Sequence, residues 1–294
     1  MSKSCFCTLA VGNRYRAHAK LLAKDIQRYS TSIPLVILTD CPEDFIEFPH
    51  VLAYKHHLQS VLGYHDKLWV IEQAISIFDT CIFVDSDVRI LGDIPTEMEF
   101  PEGLTGRFGC PILKHNKYTK VRPALPLIEN SAQTLGLNLD AVVWLHECLF
   151  TVRRQNGLEQ EFLNQWKVLA YYFQINNIFE GEGNVMGLAA AAAGLNVGFK
   201  REDSFPFFKD VIEKERIKKG ESSLDLNSPL FKTHKQIEYP HRSFSTKVVQ
   251  KLTQQWSFYY RWSKMHMAAS QNLEFQTLNA AIAPSPMRTA LSTR

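Results

Sequence analysis

The sequence predicts an α/β fold: a mixed, mostly parallel sheet flanked by helices and followed by a C-terminal helical extension. Three observations carry this expectation. Strand-like and helical patterns alternate as far as about residue 200, the order that builds a largely parallel sheet. The β-branched and aromatic run Cys81-Ile82-Phe83-Val84 reads as a buried strand. With 294 residues and 45% apolar content the chain can bury one large core.

Taken in order, the first strong element is a helix over Tyr64–Phe78, where Leu68, Ile71, Ile75 and Phe78 recur at helical spacing and form one apolar stripe. Lys67 falls at its beginning, where the helix dipole disfavours a cation. A lysine there implies a nearby anion, a solvated surface lysine being the plain alternative. Next, the buried strand ends in Asp85-Ser86-Asp87. Residues two apart on extended chain point the same way, so both carboxylates can serve one hard cation that bridges to substrate phosphates. A simple strand-end turn is the alternative.

Arg107 to Asn130, rich in Pro, Lys and Arg, is expected to be a loop excursion or lid. Its Lys114, His115, Lys117, Lys120 and Arg122 either meet an anionic acceptor or form a solvated loop. Ala189–Ala193, framed by Gly187 and Gly194, reads as a helix whose small side chains allow close packing. Lys209 to Ser223 is highly charged and reads as a mobile segment, either a linker or a loop that closes over a ligand. Tyr239 to Leu273 contains no Asp or Glu, and interleaves Arg242, Lys247, Lys251, Arg261 and Lys264 with Trp256, Phe258, Tyr259, Tyr260 and Trp262. As a helix it places Val249, Leu252, Trp256 and Tyr260 on one face, for an anionic membrane surface or for packing on the preceding domain. The stretch 274–294 is expected to be a disordered tail.

Lys67, its helix, Phe83-Val84-Asp85-Ser86-Asp87 and the following Leu91-Gly92-Asp93-Ile94 together resemble the core of the GT-A type nucleotide-sugar glycosyltransferases, most closely the glycogenin-like (family 8-like) branch. Ser4–Ala10 looks like that family's first strand, with Asn13, Arg14 and Tyr15 at the turn into a helix. Ile33–Asp40 looks like the second strand, and His146–Val152 followed by Phe162–Trp166 is similar to the strand and helix after the metal site. Glu180-Gly181-Glu182-Gly183-Asn184 takes the place of the family's acidic Asp-Gln segment. The resemblance covers roughly residues 1 to 200.

It implies a single GT-A (Rossmann-like) domain over 1–240, with a nucleotide-binding part at about 1–95 and an acceptor part at about 96–240, then the basic aromatic extension 241–273. It further implies Mn²⁺ (or Mg²⁺) held by Asp85 and Asp87, with Asp85 also near the ribose, Ser86 beside them and Lys67 on the phosphates. Thr8, Ala10, Asn13, Arg14 and Tyr15 would form the nucleotide pocket, with Thr39 and Asp40 at its border. The family's C-terminal His-Gly and Lys-Pro-Trp have only Lys232–His241 as their counterpart, so His234 stands as third metal ligand or as a surface histidine. Glu182 would position the acceptor or act as base, with Glu180 and Glu147 as substitutes. The implied reaction moves a sugar, most readily from a UDP-sugar, to a saccharide, lipid or protein acceptor with retention. An inverting reaction would need a carboxylate base.

Formal charge +3 and a pI near 8.4 are too mild for a nucleic-acid partner. No apolar run approaches the ~20 residues that span a bilayer, and no secretory signal is expected. The six cysteines lack zinc-like spacing and suit reduced core thiols. The expected compartment is therefore cytoplasmic, with peripheral membrane contact through 241–273. Two other classes fit parts of the pattern. A haloacid-dehalogenase-like phosphatase would use Asp85 as nucleophile, although Arg89 stands where its Thr or Val is usual. A donor-binding or membrane-associated scaffold would keep the site without turnover.

Overall fold

The computed structural model describes residues 3–30, 32–95, 98–117, 122–200, 205–241 and 243–282. The first half of the chain forms β1 (Ser4–Ala10), α1 (Asn13–Tyr29), β2 (Leu35–Thr39), β3 (Val51–Lys55), α2 (Lys67–Ile77), β4 (Thr80–Val84), β5 (Arg89–Ile90), β6 (Gly103–Gly106), β7 (Gly109–Pro111), α3 (Ile112–Lys117) and α4 (Leu125–Thr134). There follow β8 (Val143–Leu145), β9 (Leu149–Arg153), α5 (Leu158–Ile175), α6 (Glu182–Ala193), β10 (Val197–Phe199), β11 (Phe207–Phe208), α7 (Asp210–Lys218), α8 (Leu224–Glu238), α9 (Phe244–Gln271) and α10 (Leu273–Ile282).

Seven strands make the main sheet in the order β10-β6-β9-β4-β1-β2-β3. All neighbours pair parallel except β9, which runs antiparallel to β4 and β6. The fold is thus α/β with a mixed, mostly parallel sheet and a C-terminal helical stretch. Cys5, Phe6, Cys7 and Ala10 of β1 are fully buried, as strands covered on both faces are. Alternate residues enter different cores. Cys5 and Cys7 join Val36, Ile71 and Phe83 on the side of α2, α5 and α6, while Phe6 and Ala10 join Leu22, Ile26 and Ile37 on the side of α1. Each fully buried Leu, Ile or Phe contributes about 1.5–3 kcal/mol.

The wiring positions a crevice. The chain leaves β1 through α1 for β2 and β3 on one side and returns through α2 to β4 on the other, so strand order reverses between β1 and β4. Ligand crevices in open α/β sheets open beyond the carboxyl ends of strands at such a reversal.

Three expectations are corrected. Arg107 to Asn130 is not a loop excursion: it carries β7, α3 and the first part of α4, although Lys120 lies outside the described residues, as does the side chain of Arg122. Lys209 to Ser223 is built around α7. The disordered tail expected from residue 274 begins instead as α10, whose Phe275 and Leu278 are buried in the main core, while 283–294 lie outside the described residues. All six cysteines are free thiols. Among the described residues no helix is long and apolar enough to cross a membrane.

Candidate active site

A cavity of about 580 Å³ lies at the reversal, within the size range of small-molecule sites. Its wall takes Leu9, Val11, Arg14 and Tyr15 from the β1–α1 junction, Lys67 from α2, and Asp85, Ser86 and Asp87 from the end of β4. Trp144, His146, Glu147, Glu180, Glu182, Lys209, His234 and Glu238 also line it, as do His115 and Tyr64.

Lys67 is the first residue of α2 and is buried at the cavity floor. Its Nζ lies 3.1 Å from Asp85 Oδ1, 2.8 Å from Glu182 Oε1, and donates at 3.1 Å to the Glu147 carbonyl. A lysine has three donors, so every one is occupied. Burial pulls the Lys67 pKa down, but Asp85, Glu182 and Glu147 together raise it above the ordinary lysine range. Glu182, the first residue of α6, is thereby held in an ion pair at a helix N-terminus, where a carboxylate is favoured.

A second ammonium closes the site. Lys209 Nζ lies 2.9 Å from Asp85 Oδ2 and 2.5 Å from Asp87 Oδ1. Backbone pairing puts it there: β11 runs antiparallel to β5 with Phe208 opposite Arg89, so the residue that follows β11 arrives at the Asp85–Asp87 turn. Arg89 is itself fixed by Asp25 of α1 through Nε at 2.6 Å and Nη2 at 2.9 Å. Burial pushes the Asp85 carboxyl up, yet Lys209 and Lys67 outweigh it and lower its pKa to about 2.

Glu147 is different. Its Oε2 is buried and has no hydrogen-bond partner among the described residues. Burial and the neighbouring Glu182 raise its pKa to about 8, against the opposing pull of Lys67. His234 of α8 lines the same cavity, with a buried Nδ1 that has no partner among the described residues and its ring 5.1 Å from that of His18. His18 Nε2 in turn meets Glu238 Oε1 at 3.1 Å, and burial lowers the His18 pKa.

Of the residues singled out in the sequence, Lys67, Asp85, Ser86, Asp87, Glu147, Glu180, Glu182, Arg14, Tyr15 and His234 share the cavity. Thr8, Ala10, Asn13, Thr39 and Asp40 do not line it. Leu9 and Val11 do, so Thr8 and Ala10 are one residue out of phase and face the other side of the sheet. Thr39 Oγ1 donates to the Ala10 carbonyl at 2.7 Å, and Asp40 accepts from the Gly12 amide at 2.9 Å and from Arg16. These two brace the β1–α1 turn from behind. Asn13 is exposed and accepts from Arg16. Lys209 was missed in the sequence; its one signal is the Phe207-Phe208 pair that ends in a cation, as Phe83-Val84 ends in an acid.

The donor set fits a hard cation shared with a phosphate. Asp85 and Asp87 already converge on one positive atom, the Lys209 ammonium. Mn²⁺ or Mg²⁺ binds through one or two carboxylates and completes its shell with water and substrate phosphates. Among the described residues no three His, Cys, Asp or Glu side chains form a metal cluster.

No protein-family model and no curated protein matches the chain. Among solved structures it is similar to the apo form of the bifunctional glycosyltransferase WbbM, at 12% identity over 68% of this chain and 39% of that one, with a TM-score of 0.44. It is also similar to the galactosyltransferase LgtC in complex with donor and acceptor sugar analogues, at 10% identity over 66% of this chain and 72% of that one, with a TM-score of 0.46.

Proposed function

We propose that the chain transfers a sugar from a nucleotide-diphosphate sugar, foremost a UDP-sugar, to a saccharide, lipid or protein acceptor, with retention of configuration. The observation that carries this reading is the convergence of Asp85 and Asp87 on one cationic atom at the carboxyl end of β4, beside a second buried ammonium. Such a place suits a diphosphate, whose negative charge grows as the glycosidic bond breaks. Mn²⁺ or Mg²⁺ held by the two aspartates would supply Lewis-acid charge to that leaving group.

The chain's own residues do the rest. Lys67, locked by Glu182 and the Glu147 carbonyl, presents a fixed positive charge to the phosphates, and preorganised charge of this kind stabilises a transition state without reorganisation. Arg14 and Tyr15 bound the nucleotide end of the cavity, and Trp144 with His115 stacked on it at 3.8 Å bounds the acceptor end. Glu182, tied to Lys67, orients that lysine and the acceptor. One observation favours a second reading, inversion: Glu147 lines the cavity, its Oε2 has no hydrogen-bond partner among the described residues, and once ionised, above a pH of about 8, its carboxylate would take the acceptor proton. We also propose that the exposed aromatics of α9, Phe244, Trp256, Tyr259 and Tyr260 among them, contact an anionic membrane surface from the cytoplasmic side.

The test is slow hydrolysis of UDP-, GDP- and ADP-sugars with Mn²⁺, followed by the anomeric proton signal of the released sugar. Turnover of one donor names the nucleotide and sugar, and the anomer first formed decides between retention and inversion. A phosphoenzyme on Asp85 without donor turnover would instead mark the phosphatase reading, and donor binding without turnover the scaffold reading.

A further inference from the structure

Lys67 and Lys209 both touch Asp85, but they are held in unlike ways. Lys67 has acceptors outside the aspartate pair, Glu182 Oε1 and the Glu147 carbonyl, and keeps them whatever happens at Asp85. Among the described residues the acceptors of Lys209 are Asp85 Oδ2 and Asp87 Oδ1, on the two carboxylates that would hold a divalent cation. Two of its three donors are used. Its side chain is 13% exposed, and the aspartates are 22% and 23% exposed, so the cluster opens to the cavity. The charge of the cluster points the same way. Three carboxylates, Asp85, Asp87 and Glu182, meet two ammonium groups, Lys67 and Lys209, which leaves one net negative charge, so added positive charge favours the entry of a diphosphate. A lysine ammonium on a four-carbon stem can turn to a new acceptor without backbone movement, whereas Asp85 and Asp87 sit on the short turn that follows β4.

We infer that Lys209 is a donor-binding residue that exchanges partners: in the free protein it neutralises Asp85 and Asp87, and when a divalent cation takes those carboxylates it moves to the diphosphate. This rests on the nucleotide-sugar reading and adds to it a residue for the phosphate. Lys209 stands immediately before α7, whose Val211 and Ile212 line the cavity, so its ammonium reaches a bound phosphate from the backbone position it already has. Ordering by β11–β5 pairing keeps that backbone in place throughout.

The exchange makes two opposite predictions for one substitution. Removing the ammonium frees the carboxylates for metal and also removes a phosphate contact. In the full chain, Mn²⁺ affinity without nucleotide is measured by the electron paramagnetic resonance of free Mn²⁺, and UDP affinity at saturating Mn²⁺ by calorimetry. Lys209→Met is expected to bind Mn²⁺ about tenfold more tightly and UDP about tenfold more weakly than the parent, the factor one charge-assisted contact is worth. Lys209→Arg, which keeps the charge, is expected to bind Mn²⁺ as the parent does. If Lys209→Met does not fold, Lys209→Gln serves with the same expectations. Unchanged or weaker Mn²⁺ binding in the neutral variant overturns the exchange, and so does unchanged UDP binding. Failure of UDP, GDP and ADP alike to bind the parent with Mn²⁺ overturns the donor reading beneath it, an outcome distinct from an unchanged metal affinity.

Discussion

Glu147 and Lys67 define the site at the scale of single residues, one with a carboxyl oxygen that has no partner among the described residues and the other with all three donors committed. Glu147 keeps its proton in the folded protein up to about pH 8, while the unfolded chain releases it near 4.5. Between those values the folded state binds more protons than the unfolded one, so stability falls as pH rises through that window, and below 4.5 the difference vanishes. Glu147→Gln is expected to remove this slope. Denaturant melts at pH 5 and pH 8 check it, and an identical pH dependence in parent and variant would contradict the assignment. Lys67→Met leaves Asp85 and Glu182 facing each other without their shared cation, which is expected to cost about 3 kcal/mol in the same melts; a change within ~0.5 kcal/mol would show that the lysine is dispensable to the fold. The acids and Lys67 were legible because each stands at the end of an element, where an abrupt change from apolar to charged marks a rim. Thr8 and Ala10 were placed on the wrong phase for a physical reason. A strand buried on both faces has no polar alternation, so nothing in β1 says which parity meets the cavity.

Elements whose burial rests on polar or absent side chains were the hardest to read. α3 is anchored by Asn116, whose amide pairs with Asn184 at 2.8 and 3.1 Å, and α7 by buried Glu213, which accepts from Ser222 and from Asn227 at 2.8 Å. Neither leaves an apolar period in the sequence. α6 was readable as a close-packed helix, and the structure supplies the reason. Gly183 and Gly187 are one turn apart, and a Cβ at Gly187 would come within 2.0 Å of the Val143 carbonyl while one at Gly183 would come within 2.1 Å of the Leu145 carbonyl. These glycines let the helix lie directly on the backbone of β8 and bring Glu182 to the cavity. Gly187→Ala is therefore expected to destabilise by about 2 kcal/mol, because the obstructing atom is backbone. Thermal unfolding checks this, and a variant as stable as the parent would mean the contact relaxes freely.

Across the whole molecule, the C-terminal extension is fastened by its far end. Arg261 donates to the Val61 carbonyl at 2.7 Å, and Met265, Ala269, Phe275 and Leu278 are buried, whereas Trp256 is 79% exposed. Phe275→Ala is expected to cost about 3 kcal/mol, and stability unchanged in that variant would show that α10 is not part of the core. By contrast, replacing Trp256 and Tyr260 with Ser is expected to leave stability within ~0.5 kcal/mol and to reduce co-sedimentation with anionic vesicles; equal sedimentation would remove the membrane contact from the account. The architecture could be read from the alternation of strands and helices, while the docking of α10 could not, since Phe275, Leu278 and Ile282, though at helical spacing, make a stripe only two turns long. The central claim is that Asp85 and Asp87 hold the cation that meets a sugar-nucleotide diphosphate. Its most direct test is the rate of donor hydrolysis with Mn²⁺ in Asp87→Asn against the parent, for the donor the parent turns over fastest. The account predicts a fall of about a hundredfold or more with an unchanged unfolding temperature, and a variant that hydrolyses the donor at the parental rate would contradict it.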